Sequence, residues 1–150
     1  MKIIAQNKKA FHDYEIIDRI EAGVVLKGDE VKSIRAGHIS LVGAYATITR
    51  GELFLLNCTI APYAQAYQKN EEIKTRTRKL LVHRRELNRL AGEISRKGVT
   101  ILPLKIYLNE RGIIKVELGI GKHKKMADKK LALKERDIKR ETARELRGRS

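Results

Sequence analysis

The chain reads as a mainly β protein: an OB-like, closed or partly open antiparallel barrel of about six strands with two or three short flanking helices, continued by a basic C-terminal tail. Three observations carry this reading. Short runs rich in Ile, Val, Leu, Thr and Tyr are separated by turn residues. Helical spacing of apolar residues occurs in only two stretches of the body. From residue 124 onward the apolar pattern gives way to charge. With 150 residues, 42% of them hydrophobic, and no Trp, a single core must be built from Ile, Leu, Val and Ala.

The elements follow in order. Residues 1–13 are polar and read as a flexible lead-in. "YEIIDRIEAGVVLK" (14–27) alternates and then runs apolar, which predicts a long strand bent or bulged at Gly23. Gly28 and Asp29 are turn chemistry. "EVKSIRAGH" (30–38) has the spacing of a short helix stopped by Gly37 at C′. "AYATITR" and "ELFLLNCTI" read as strands joined by a two-residue turn at Arg50 and Gly51, with a weaker strand at 63–67. Residues 69–79 offer no buried face and read as an exposed loop. From Leu80 the period becomes helical: Leu80, Leu87, Leu90, Ala91 and Ile94 share a face, and Gly98 ends the helix. Residues 99–121 give two long strands around a turn at 109–112, with Pro103 assigning its strand to an edge or a bulge. A split α+β sandwich is the competing layout. The division is therefore a barrel domain over 1–123 and a tail over 124–150.

The formal charge of +15 indicates a polyanionic partner, nucleic acid or an anionic membrane. Its distribution is uneven. Residues 1–73 carry 9 Lys/Arg against 9 Asp/Glu, whereas 74–97 carry 9 against 2 and 122–150 carry 12 against 5. Two separated basic segments on a neutral body describe a protein with two basic surfaces rather than a uniformly cationic one. No stretch is long and apolar enough to span a membrane, and no secretory signal reads at the N-terminus, so a cytoplasmic protein is expected. The single cysteine, Cys58, has no partner for an internal disulfide; the sequon at 57–59 means little without secretion.

Catalysis has little support. The four histidines are scattered at no metal-ligand spacing, and the glycines at 119 and 121 precede no phosphate-loop pattern. Asp13, Glu15 and Asp18 could hold Mg²⁺, but on a strand they do not share a face. No cofactor and no metal are expected. In 74–97, Arg76, Arg78 and Lys79 read as loop residues. Arg84, Arg85, Arg89, Arg96 and Lys97 project from the helix away from its apolar stripe, offset only by Glu86 and Glu93. Arginines so placed contact phosphates bidentately and stack on unpaired bases. In the tail, Lys129, Arg136, Arg140, Arg144 and Arg147 line one side of a possible helix whose apolar stripe is too thin to dock. Such a helix is unfolded in water and orders along phosphates. Two other functions fit the same features: a ribosomal protein with a basic extension, and a metal-dependent nuclease using the 13–18 acids.

Five stretches carry a resemblance: "NKKA" (7–10) followed by Tyr14 and Ile16, "GDEVKSIRAG" (28–37), "NCTIAPY" (57–63), "TRTRKLLVHRREL" (75–87) and "DKKLALKER" (128–136). Lying in register, they make the chain resemble the small protein B (SmpB) family, partners of transfer-messenger RNA (tmRNA) in bacterial ribosome rescue. The resemblance implies an OB-like barrel with a tail disordered when free, and no enzymatic activity. It implies binding to the tRNA-like domain of tmRNA and delivery of the alanylated RNA, with the elongation factor EF-Tu, to stalled ribosomes. The family's tmRNA-binding surface maps onto Asn7, Lys8, Lys9, Glu21, Arg76, Lys79, Leu81 and His83. The tail, with Lys124, Lys125, Asp128, Lys129, Lys130, Lys134, Arg136, Arg140 and Arg144, would occupy the empty mRNA channel near the small-subunit decoding centre.

The chain departs from the family pattern in three places. Lys122-His123-Lys124-Lys125 stands where Arg-Gly-Lys-Lys is usual. Ala127 replaces an aromatic residue or His, and Lys130 replaces Arg, keeping charge but losing bidentate geometry. His123 is then the candidate to supply the stacking that Ala127 cannot.

Overall fold

In the computed structural model, which describes residues 1–62, 74–96 and 98–124, period-2 patterning dominates and is reset by bulges on β1, β2 and β8. The described elements run in order β1 (Lys2–Gln6), α1 (Lys8–Asp13), β2 (Tyr14–Val24), α2 (Gly28–Arg35), β3 (Ile39–Ser40), β4 (Tyr45–Thr49), β5 (Glu52–Leu56), β6 (Thr59–Ile60), β7 (Arg78–Leu81), α3 (Arg84–Ile94), β8 (Val99–Leu108) and β9 (Ile114–His123). All pairings are antiparallel. The main sheet runs β1-β8-β4-β5-β7-β2-β9, and β9 pairs back onto β8. Six strands thus form a ring, with β1 added outside β8. The β2/β9 and β8/β9 ladders are long, but β4 meets β8 only where Ala46 lies opposite Ile101. The ring is therefore partly open along that seam. β3 and β6 make a separate two-stranded sheet.

The ring's interior holds Ile20, Ala22, Ala46, Leu53, Leu55, Leu80, Ile101, Ile106, Val116, Leu118 and Ile120, joined by Ile34 of α2 and Leu90 of α3. Leu90 is fully buried, which stabilises the docking of α3 by about 1.5–3 kcal/mol. Arg50 and Gly51, both at positive φ, close the β4/β5 hairpin as a type I′ turn. The helix expected at 30–38 ends as read: His38 N–H bonds Ser33 C=O at 2.9 Å and Gly37 N–H bonds Ile34 C=O at 2.8 Å.

The bulges decide which residues face out. Register shifts between Ile16 and Asp18 on β2, so Tyr14 and Ile16 face outward and then Arg19, Glu21 and Gly23 do. On β8 the shift falls between Pro103 and Lys105, so Leu102 and then Lys105 and Tyr107 face outward. Leu102 and Leu104 pack outside the ring against Ala10, Tyr14 and Ile16, which seats α1 on the sheet. Glycines on β9 make this close approach possible. A Cβ on Gly119 would lie 2.7 Å from Leu104 Cδ1, and one on Gly121 would lie 3.1 Å from both Leu102 Cδ1 and Tyr14 Cβ.

Several expectations are corrected. Residues 1–13 are not a flexible lead-in: they form β1, paired to β8, and α1, because Asn7 anchors the junction. The bulge on β2 lies around Ile17 rather than at Gly23. Gly28 and Asp29 open α2 instead of forming a turn. "ELFLLNCTI" is two strands, divided at Asn57, whose φ is 59°. Pro103 adjoins the β8 bulge, one of the two positions expected for it, on a strand paired along both sides. Leu80 belongs to β7, not to a helix, and α3 begins at Arg84. Over 78–81 the inward residues are Arg78 and Leu80, and a charge at a core position disguises the strand's alternation. The expected strand at 63–67, residues 69–73 of the expected loop, and the tail beyond Lys124 lie outside the described residues. No described helix is long and apolar enough to cross a membrane.

Candidate nucleic-acid interface

The interface begins at α1, where the three residues of "NKK" have different surroundings. Asn7 is buried: its Oδ1 accepts from Ala10 N–H at 3.2 Å, capping the helix, while Nδ2 donates to Pro103 C=O at 3.0 Å and Leu41 C=O at 3.3 Å. Its side chain is thereby engaged in holding α1 to the sheet. Lys8 borders a shallow recess with Phe11, Arg19, Lys105 and Glu117 on the outer face of β2, β9 and β8. Lys9 borders a different recess, with Tyr14, Val42 and Tyr45.

Along that outer face Glu117 pairs with Arg19 at 3.3 Å and Lys105 at 3.6 Å, and the Arg19 guanidinium lies 5.5 Å from the Phe11 ring centroid. Tyr107, on β8, sends its hydroxyl across β9 to donate to the carboxylate of Glu21 on β2. Burial raises the phenol's pKa first, and the hydrogen bond and charge of Glu21 and the charge of Glu117 push it higher still. Beyond Glu21 a recess of about 330 Å³ is lined by Gly23, Leu81, Val82, His83, Glu86 and Lys115. Gly23 lies opposite both Leu81 and Lys115, so β7 and β9 deliver these residues to one place. Leu81 is 52% exposed, an apolar side chain offered to solvent beside the exposed His83 at the start of α3. His83 N–H donates to Glu86 at 3.1 Å, fixing that helix start.

The segment before β7 is rearranged relative to the loop expected there. Arg78 is 1% exposed and is not a surface cation. It donates to Glu30 at 2.8 Å and to the carbonyls of Cys58 at 2.8 Å, Lys74 at 3.0 Å and Arg76 at 3.1 Å. Arg76 grips the same Glu30 carboxylate bidentately and keeps a quarter of its side chain exposed. Burial alone would raise the Glu30 pKa, but hydrogen bonds from Arg76, the Lys27 backbone N–H and Arg78 outweigh it and hold the carboxyl below its ordinary value. The cluster ties α2 to the entry of β7 and so sets where Lys79 and Leu81 emerge. Lys79 is exposed and pairs with Glu52 at 3.1 Å. Cys58 is buried beneath the cluster; burial pushes its thiol up to about 11, with Arg78 opposing and Glu30 adding.

On α3, Arg84 and Arg85 are exposed and Arg89 pairs with Asp18 of β2; just past the helix end, Arg96 pairs with Glu93 at 2.6 Å. Asp18 is thus engaged with an arginine. Among the described residues no group of three or more His, Cys, Asp or Glu is gathered to hold a metal ion. His123 ends β9 with its ring edge-on to Tyr14, the centroids 4.9 Å apart.

Of the residues singled out in the sequence, the structure brings Glu21, Leu81 and His83 to one recess, and Lys8 to the same outer face. Lys79 lies on β7 two residues from Leu81, Arg76 is held by Glu30, Asn7 is structural, and Lys9 faces elsewhere. Lys124 donates to Phe11 C=O at 3.2 Å, at the point where the described chain ends. Arg19, Tyr107 and Lys115 were not anticipated. Their outward alternation is visible in the sequence, but only the strand register places them beside Glu21.

Comparison with known proteins places the chain in a family. The family described as SmpB protein matches residues 4–148. The chain is 48% identical over 145 residues to the SsrA-binding protein of Coprothermobacter proteolyticus, covering 97% of each chain. It is 51% identical over 146 residues to that of Symbiobacterium thermophilum, covering 97% of this chain and 92% of the relative. Among solved structures, a chain of "tmRNA-SmpB: a journey to the center of the bacterial ribosome" superimposes with a TM-score of 0.67 and 50% identity, over 81% of this chain and 84% of that one. Matches of this extent establish that the chain belongs to the SmpB family.

Proposed function

We propose that this protein binds tmRNA and acts with it on the bacterial ribosome in trans-translation, as an RNA-binding protein of the cytoplasm rather than an enzyme. One observation carries the reading: a chain about half identical to SsrA-binding proteins over nearly its whole length gathers Glu21, Leu81, His83 and Lys115 at a single outward recess. The body, 1–123, docks on the tRNA-like domain of the RNA. Lys8, Lys79, Lys115 and the α3 arginines meet phosphates, and Leu81 and His83 offer surfaces to unpaired bases. Asn7 acts by fixing α1, and Arg76 and Glu30 by fixing β7, with the exposed part of Arg76 and Lys9 at the margins. The tail, from Lys124, carries Lys125, Asp128, Lys129, Lys130, Lys134, Arg136, Arg140 and Arg144 toward the decoding centre and the mRNA channel. EF-Tu joins through the alanylated RNA. Sequencing the RNA that co-purifies with the protein tests this: tmRNA should be strongly enriched. Stoichiometric ribosomal RNA without tmRNA would instead make this a ribosomal protein.

A further inference from the structure

Tyr107 is 5% exposed, and its hydroxyl is donated to Glu21, two strands away. By register its ring crosses β9 between Lys115, which lies opposite both Tyr107 and Gly23, and Glu117, which lies opposite both Lys105 and Glu21. A phenol this buried needs a hydrogen-bond partner, and one that stays protonated remains a donor at every working pH. The bond occupies Oε2 of Glu21; Oε1 takes no hydrogen bond among the described residues, and Glu21 lines the recess with Leu81, His83 and Lys115.

A carboxylate facing RNA repels phosphate. It favours binding only as an acceptor for an N–H or O–H donor, such as a base amino or imino group or a 2′-hydroxyl. A glutamate side chain free to rotate would do this poorly, whereas one whose second oxygen is pinned is already oriented. We propose that Tyr107 is a positioning residue for RNA recognition: it holds Oε2 of Glu21 so that Oε1 stands in the recess as a fixed acceptor for a donor group of the RNA. This rests on the RNA-binding reading given above.

The test is a double-mutant cycle read by fluorescence polarisation, with a transcript of the tmRNA tRNA-like domain as probe. Tyr107→Phe keeps the ring and removes the donor, and should weaken binding about fivefold. The slope of log affinity against log salt should stay unchanged, because no phosphate contact is lost. In the Glu21→Ala background, Tyr107→Phe should cost nothing further. Glu21→Asp, which withdraws the carboxylate from the phenol by one methylene while keeping its charge, should weaken binding by a similar factor. A probe carrying 2′-deoxynucleotides separates the two donors: loss of the Tyr107→Phe effect assigns a 2′-hydroxyl, and persistence assigns a base edge. Wild-type affinity in Tyr107→Phe, or the same weakening with and without Glu21, would overturn the proposal. Failure of the wild-type protein to bind the transcript would overturn the RNA-binding reading itself.

Discussion

Replacing Glu30 by Ala takes one carboxylate away from two guanidinium groups, one of them almost wholly buried. Arg78 is 1% exposed and Glu30 7%. Removing one partner of a buried pair costs about 3–5 kcal/mol, because the other charge is left uncompensated. Arg78 would keep its bonds to the carbonyls of Cys58, Lys74 and Arg76, so the lower end applies. For a body of this size, about 3 kcal/mol corresponds to a drop in Tm on the order of 10 °C. The pH dependence gives a second readout. The Glu30 carboxyl is held below its ordinary value of 4.5, so its stabilisation is fully present above that pH and is lost as pH falls through the lower folded-state value. Melts followed by circular dichroism should show Glu30→Ala melting lower at neutral pH and losing less than the wild type on acidification. A Tm within about 2 °C of wild type would contradict the claim that this cluster holds the entry to β7.

Other perturbations probe other links. Gly119→Ala puts a Cβ 2.7 Å from Leu104 Cδ1, and should destabilise the protein by about 1–3 kcal/mol in a denaturant melt. Asn7→Ala removes the cap of α1 and its bonds to Pro103 and Leu41, and should cost about 2 kcal/mol of stability in a denaturant melt. Lys79→Ala breaks only an exposed pair with Glu52, so the melt should shift by less than about 1 kcal/mol, while the salt slope of tmRNA binding should fall by about 0.7–0.9.

The general architecture was legible because it depends on local signals. The turn at Arg50 and Gly51, the stop at Gly37 and the long hairpin around 109–112 each follow from residue type and spacing. What was hidden depends on partners distant in sequence. "AQNKKAFHD" looks disordered because its order comes from Asn7 reaching Leu41 and Pro103 and from Ala10 meeting Leu102 and Leu104. Arg78 reads as a surface cation because arginine usually is one; the carboxylate of Glu30, far away in sequence, and the carbonyls of Cys58, Lys74 and Arg76 make its burial tolerable. The candidate site divides the same way. Glu21, Leu81 and His83 came through family resemblance, whereas Tyr107 and Lys115 needed the β8, β9 and β2 registers, which two bulges shift and alternation alone does not predict.

The central claim is a division of labour between a body that binds the RNA and a tail that serves the ribosome. Truncation after Lys124 tests it most directly, by measuring tmRNA affinity and peptide tagging on stalled ribosomes with the same preparation. The account predicts tmRNA affinity within about twofold of the full-length protein, since only peripheral phosphate contacts are removed, and no tagging. A parallel collapse of both activities, or tagging that survives without the tail, would contradict it.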